Sequence, residues 1–172
     1  NHKMKIYVGT YEKYNNGNIK GAWIDLKNYK SSKEFYSACE KLHAEEHSPE
    51  FMFQDYENIP SQLVGESFID SRVFDVINLE LDEDEQEAFF EFMNNQNFYW
   101  EDINEAFNSF EECSMGKYDE LQDFTDELAD NDIDCYIDKD NPLIHYFDYD
   151  KYYNDMRHDY FITSGGYVFA NR

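Results

Sequence analysis

The spacing of apolar positions changes along the chain, and each change marks an element. Residues 5 to 11, Lys-Ile-Tyr-Val-Gly-Thr-Tyr, are rich in β-branched and aromatic side chains, and Ile19 to Leu26 holds a second run of that kind. Asn15-Asn16-Gly17 lies between them, so the two read as strands of an antiparallel hairpin with a longer loop. Ser32 opens a helix to about Glu46, with Phe35, Cys39 and Leu42 at i, i+4 and i+7, and Pro49 marks its end. Phe51-Met52-Phe53 reads as a third strand, completing a small sheet covered by that helix. After Ile59-Pro60 the period lengthens from two to 3.6, with helices expected near 70–78, 84–95 and 101–107 and a linker at Asn94-Asn95-Gln96-Asn97. Phe107 to Cys113 reads as a strand, and Lys117 to Ala129 as a helix with Leu121, Phe124 and Leu128 as its apolar stripe. Asn141-Pro142 starts another turn or helix, Asp148 or Tyr149 begins a Tyr-rich helix to about Asp159, and Tyr160–Thr163 and Tyr167–Ala170 flank Gly165-Gly166 as a hairpin. The expectation is an α+β chain in three parts: a small antiparallel-sheet unit at 1–60, a helical middle at 61–105 and an α+β unit at 106–172.

Charge changes this picture. The 172 residues carry 38 Asp and Glu against 14 Lys and Arg, a net charge of -24, and from Asp75 to Asp140 there are 23 carboxylates against Lys117 and Lys139 alone. That stretch supplies 21 of the 24 net charges, and its spacing displays them. Asp119, Asp123, Asp126 and Asp130 fall on one helix face away from the apolar stripe; Asp82 reads as an N-cap, followed by Asp84, Glu87 and Glu91 opposite Phe89, Phe90 and Met93. Like charges one turn apart cost roughly 0.2–0.5 kcal/mol per pair, so the display calls for compensation. Carboxylates one turn apart lie ~5–6 Å from each other at Cβ, close to the separation of successive phosphates on a nucleic-acid strand.

A solvated helix face is the ordinary use of such a run. Salt adaptation would spread acid over the whole chain, but most Lys and Arg sit at its ends. Disorder is opposed by 19% aromatic and 41% hydrophobic residues, enough to bury a core. Phosphate and anionic lipid both need clustered Lys and Arg, so nucleic acid and membranes are excluded as direct ligands and the partner is expected to be basic. Cys39, Cys113 and Cys135 are odd in number and far apart, which fits a reducing cytoplasm. Asn1, His2 and Lys3 before Met4 read as a cloning remnant, and no signal peptide is expected.

His43-Ala44-Glu45-Glu46-His47 matches the H-x-x-E-H pattern of inverted zinc peptidases, with His43 and His47 as ligands and Glu46 as base, but Pro49 truncates its helix and no distal acidic ligand stands out. Asp130, Asp132 and Asp134 are similar to the start of a calcium loop, yet Cys135 and Asn141 occupy the positions that need Gly and Glu. No phosphate loop or nucleophile elbow is present. No cofactor, metal or catalytic residue is therefore assigned.

Ile6-Tyr7-Val8-Gly9-Thr10-Tyr11, then Lys13-Tyr14-Asn15, Gly17, Gly21, Trp23 and Gln54-Asp55-Tyr56-Glu57, resemble the ArdA family of antirestriction proteins of conjugative elements and phages. So do Tyr146-Phe147-Asp148-Tyr149-Asp150-Lys151-Tyr152 with Asp155-Met156, and the closing Gly166-Tyr167-Val168-Phe169. Asp148, Tyr149 and Asp155 match its motif, while Tyr153 and Asn154 depart from a small residue followed by Arg. In the middle, Asp102, Ala106, Tyr118, Leu121 and Phe124 are similar in character. The resemblance implies an elongated homodimer, joined through its C-terminal unit, that imitates bent DNA and occupies the groove of Type I restriction-modification enzymes in a host bacterium's cytoplasm, without catalysis. The residues expected to meet that partner are Asp82, Asp84, Glu87, Glu91, Glu101, Asp102, Glu105, Asp119, Asp123, Asp126, Glu127 and Asp130. The rival readings are a decoy for another defence nuclease such as a CRISPR effector, an acidic module for basic proteins, and a zinc hydrolase.

Overall fold

Ile6 and Val8 point to one side of a strand and Tyr7 to the other, and that alternation builds the first unit. The computed structural model describes residues 3–172; Asn1 and His2 lie outside the described residues. Two compact units emerge, one running through Gln86 with Phe98–Ile103, the other comprising Glu87–Asn97 and Asn104–Arg172.

In the first unit, β1 (Lys5–Thr10) is the central strand, flanked by β2 (Ala22–Asp25) and β3 (Phe51–Glu57), both antiparallel to it. A short helix, α1 (Tyr11–Asn15), fills the hairpin connection and is capped by the Thr10 hydroxyl. Helix α2 (Ser32–Leu42) is capped by Ser31 and ends one turn before the expected Glu46, with His43 closing it. Its Phe35 and Cys39 are buried with Ile6, Val8 and Phe53, and the Phe35 ring lies 5.8 Å from both Phe53 and Phe74. Phe74 comes from α3 (Arg72–Asn78). The Arg72 guanidinium donates to the Phe98 and Trp100 carbonyls, 2.7 Å each, and pairs with Asp70, so this base clamps the 98–100 segment.

Helix α4 (Glu83–Asn95) passes from the first unit into the second. In the second unit its Phe89 and Phe92 meet α5 (Ile103–Cys113) and the sheet: Phe89 lies 5.3 Å from Phe110, and Phe92 5.2 Å from Phe169. Two sequence expectations are corrected here. Phe107–Cys113 belongs to helix α5, because Ile103, Ala106, Phe110 and Cys113 form one buried stripe at helical spacing; the strand is β4 (Ser114–Lys117). Phe89 and Phe92 are the fully buried rings of α4, with Met93 buried beside them, while Phe90, expected on that face, is half-buried.

The acidic helix α6 spans Leu121–Tyr136, later than the expected 117–129, because Lys117 pairs with Tyr167 in the sheet. Its buried positions are Phe124, Thr125, Ala129 and Ile133, with Leu121 and Leu128 half-buried. A 3-10 turn at Pro142–Tyr146 leads to α7 (Tyr149–Met156), and β5 (Tyr160–Ile162) and β6 (Tyr167–Ala170) close the chain as the expected hairpin. β6 is the middle strand, with Val168 and Phe169 both buried, so it reads as a continuous apolar run. Gly166 at φ +87 turns the hairpin, in the left-handed region that favours glycine. The whole is α+β, with seven α-helices and two three-stranded antiparallel sheets among the described residues. No described helix is long and apolar enough to cross a membrane.

Candidate functional site

Helix α6 carries six carboxylates, Asp123, Asp126, Glu127, Asp130, Asp132 and Asp134, and no base in sixteen residues. Sixteen residues span ~24 Å of helix at ~1.5 Å each, one charge per ~4 Å, close to the ~3.4 Å per phosphate along one DNA strand. All six are exposed except Asp126, which is half-buried, and Asp119 stands exposed just before the helix. Acid in the first turn is favoured: Asp123 accepts from the Glu120 N–H at 3.0 Å, completing a capping box. The last turn has no cation, so Asp132 and Asp134 face the unfavourable end of the helix dipole.

Neutral donors answer that cost. The Tyr149 hydroxyl donates to Asp130 Oδ1 and the Tyr152 hydroxyl to Asp132 Oδ2, each at 2.6 Å. Gln122 donates to Asp150 at 2.8 Å, a further tie between α6 and α7. The bond to Asp130 raises the Tyr149 hydroxyl above its ordinary pKa, as burial and then Asp132 do for Tyr152. Burial, followed by the bond to Glu127, does the same for Tyr118. A hydroxyl orders a carboxylate without cancelling its charge, whereas Lys or Arg would cancel it. Asp119, Asp123, Asp126, Glu127 and Asp130 make no ion pair among the described residues.

The other expected residues are dispersed over local roles. Asp82 caps α4, accepting from the Glu85 N–H at 2.8 Å, and Asp84 is exposed in the first turn. Farther along α4, Glu87 accepts from the Tyr167 hydroxyl at 3.1 Å, and Glu91 is turned onto the β5–β6 hairpin by the Gly165 N–H at 2.6 Å and the Ser164 hydroxyl at 2.9 Å. A side chain at Gly165 would have to displace the Glu91 carboxylate and crowd the Tyr167 ring, so glycine leaves room for Glu91 in its present position. Glu101 lies near enough to support the Arg72 charge; Asp102 precedes α5 and Glu105 opens its first turn, both exposed. In the C-terminal motif, Asp148 caps α7 by accepting from the Lys151 N–H at 3.0 Å, Tyr149 reaches Asp130, and Asp155 is exposed near the end of α7. Asp132 was absent from the expected surface. Its alternation with Asp130 and Asp134 suggested a loop, and only its place on α6 reveals it as part of the same acidic helix.

The second cluster surrounds the end of α2. His43 is buried, its Nε2 lies 3.0 Å from the Val8 carbonyl, and its Nδ1 accepts from the Lys13 ammonium at 2.6 Å, which places the ring proton on Nε2. Lys13 also pairs with Glu45 and, at 2.9 Å, with Glu46, which accepts from the Thr10 hydroxyl. His43, Glu45 and Glu46 offer ligand atoms within 4.8 Å of one another, but the Lys13 ammonium already serves as their cation. His47 is exposed beyond the helix, so the two histidines of the H-x-x-E-H pattern do not share a helical turn. Burial lowers the Lys13 pKa and its two glutamates outweigh that, raising it; burial likewise raises Glu46, and Lys13 and Thr10 hold it lower.

Comparison with the curated proteins finds no match. A model of the antirestriction protein (ArdA) family matches residues 6–169, nearly the whole chain and both units described above. With that coverage, the chain belongs to the ArdA family of antirestriction proteins.

Proposed function

We propose that this chain is a stoichiometric decoy that occupies the DNA-binding groove of a Type I restriction-modification enzyme by presenting carboxylates where that enzyme expects phosphates. The family supports an action against restriction. The observation that carries the decoy reading is α6, whose carboxylates approach the charge density of one DNA strand, with Asp130 and Asp132 ordered by neutral donors. At ~1.7 Å per charge, the net -24 of one chain equals ~40 Å of duplex, or about 12 base pairs. Asp82, Asp84, Glu87, Glu91, Glu101, Asp102, Glu105, Asp119, Asp123, Asp126, Glu127 and Asp130 supply contacts to the groove's Lys and Arg, and no bond is made or broken. The chain acts as a homodimer in the host cytoplasm; Tyr136, Leu143 and Tyr146, exposed in the second unit, supply apolar surface for that contact.

Titration of a purified Type I enzyme with this protein tests the proposal. Inhibition should saturate at a fixed molar ratio and be reversed by added duplex DNA. Inhibition that duplex DNA does not compete, or turnover of a substrate, overturns it. The same titration against a CRISPR effector separates the alternative target, and sedimentation gives the oligomeric state.

A further inference from the structure

The family motif around Tyr149 has a local structure that suits it to a task on α6. Asp148 caps α7, which fixes the first turn of that helix and places Tyr149 and Tyr152, three residues apart, on one face. Phe147 supports both rings, with its centroid 4.9 Å from Tyr149 and 5.8 Å from Tyr152. Aromatic contacts of this kind hold ring planes in place, so each hydroxyl is delivered to a set point. Those points are Asp130 Oδ1 and Asp132 Oδ2, both at 2.6 Å, the length of a hydrogen bond to a charged acceptor. Asp126 and Asp134, one turn before and after Asp130, lie close enough to act on the Tyr149 hydroxyl, so it sits among three carboxylates and bonds to one.

We propose that Tyr149 and Tyr152 are positioning residues of the anionic site, fixing the Asp130 and Asp132 carboxylates for a basic partner while leaving their charge intact. This rests on the decoy reading of the previous section. An unrestrained Asp must lose rotamer freedom when a partner's Arg or Lys binds it, and one already fixed does not. The two tyrosines thereby raise affinity without touching the partner, and they add Asp132 to the binding surface. Asp148 and Phe147 act one step further back, by orienting the tyrosines.

The test uses Tyr149→Phe, Tyr152→Phe and the double variant, each retaining the ring and removing only the hydroxyl. Melting temperatures and circular dichroism report folding, and the carboxyl carbon resonances of Asp130 and Asp132 report positioning. The resonance of Asp130 should move in Tyr149→Phe and that of Asp132 in Tyr152→Phe, with Asp119 as an unmoved control. Against the restriction enzyme, the double variant should inhibit roughly tenfold less well, and its dependence on salt should be unchanged because no charge was removed. Unmoved resonances overturn the proposal, as does undiminished inhibition in a folded double variant. If the double variant does not fold, the two single variants decide by the same criteria. Failure of the wild-type protein to inhibit would remove the decoy reading, and the resonances would still decide whether the hydroxyls position the carboxylates.

Discussion

At the residue scale, the same side-chain types are held by opposite means in the two units. Glu46 is nearly buried, its side chain 7% exposed, and depends on the Lys13 cation, whereas Asp130 is exposed and held by a hydroxyl. Glu46 therefore carries a pH signature. Its pKa is held below the ordinary 4.5, so its contribution to stability is full above that value and is lost as pH falls through the lowered one. Asp70, held below its ordinary 3.8 by Arg72, works in the same sense. These two groups should lower the melting temperature below about pH 4, while Glu12, whose pKa the bond to Glu46 raises above 4.5, works in the opposite sense. Replacing Lys13 with Met should reverse the slope: Glu46 becomes a buried carboxylate without a cation, its pKa rises, and acidification from pH 7 toward 5 restores stability. That variant should lose ~3 kcal/mol at pH 7, measured by denaturant unfolding. The aromatic core provides a second, pH-independent case. Phe89 is fully buried against Phe107 and Phe110, so Phe89→Ala should cost ~3–5 kcal/mol in the same assay, and an unchanged unfolding midpoint would show that the ring is not core.

At the scale of elements, the decoy proposal sets stability and function in opposition on α6. Asp126, Glu127 and Asp134 are spaced three or four residues from other carboxylates of the helix, and neutralising all three removes several repulsive pairs of roughly 0.2–0.5 kcal/mol each. Asp126→Asn, Glu127→Gln and Asp134→Asn together should therefore raise stability by ~1 kcal/mol at low salt and weaken inhibition far more than any of the three alone. A variant that gains stability and keeps full inhibition would show that the charge of this helix serves only solubility. The existence of α6 was legible from the stripe of Phe124 and its neighbours, but its start was not, because the pairing of Lys117 with Tyr167 joins positions fifty residues apart. Helix α5 was misread for a local reason. Dividing the chain at Phe107 separated Ile103 and Ala106 from Phe110 and Cys113, hiding a period that is plain over the full eleven residues. Spacing alone placed Asp123, Asp126 and Asp130 on this helix, but not Asp132, and it put Asp119, which lies before the first turn, in the same row. The tyrosines of α7 could not, since nothing local to Tyr149 or Tyr152 names Asp130 or Asp132 as partner.

At the scale of the molecule, the sign of the field does not depend on how the two units are arranged. Nine of the fourteen Lys and Arg lie in the first unit, yet it is still net -10, and the second is net -14. A partner with a cationic groove therefore meets attraction from both, extending about a Debye length, ~30 Å at 0.01 M salt and ~8 Å at 0.15 M. Two consequences can be separated. Screening should slow association as salt rises, and release of ions from the paired surfaces should make the logarithm of the inhibition constant climb linearly with the logarithm of salt concentration. The α6 triple variant, with three charges fewer, should show a slope lower by up to about 3, in proportion to the pairs it no longer forms. A pure tether through the exposed aromatic residues would instead give a nearly flat plot, since apolar burial responds weakly to moderate salt. Measuring inhibition from 50 to 300 mM salt for both proteins thus asks whether charge, and the charge of this helix in particular, is what the restriction enzyme binds: equal slopes would exclude α6 from the contact, and two flat lines would exclude the electrostatic decoy.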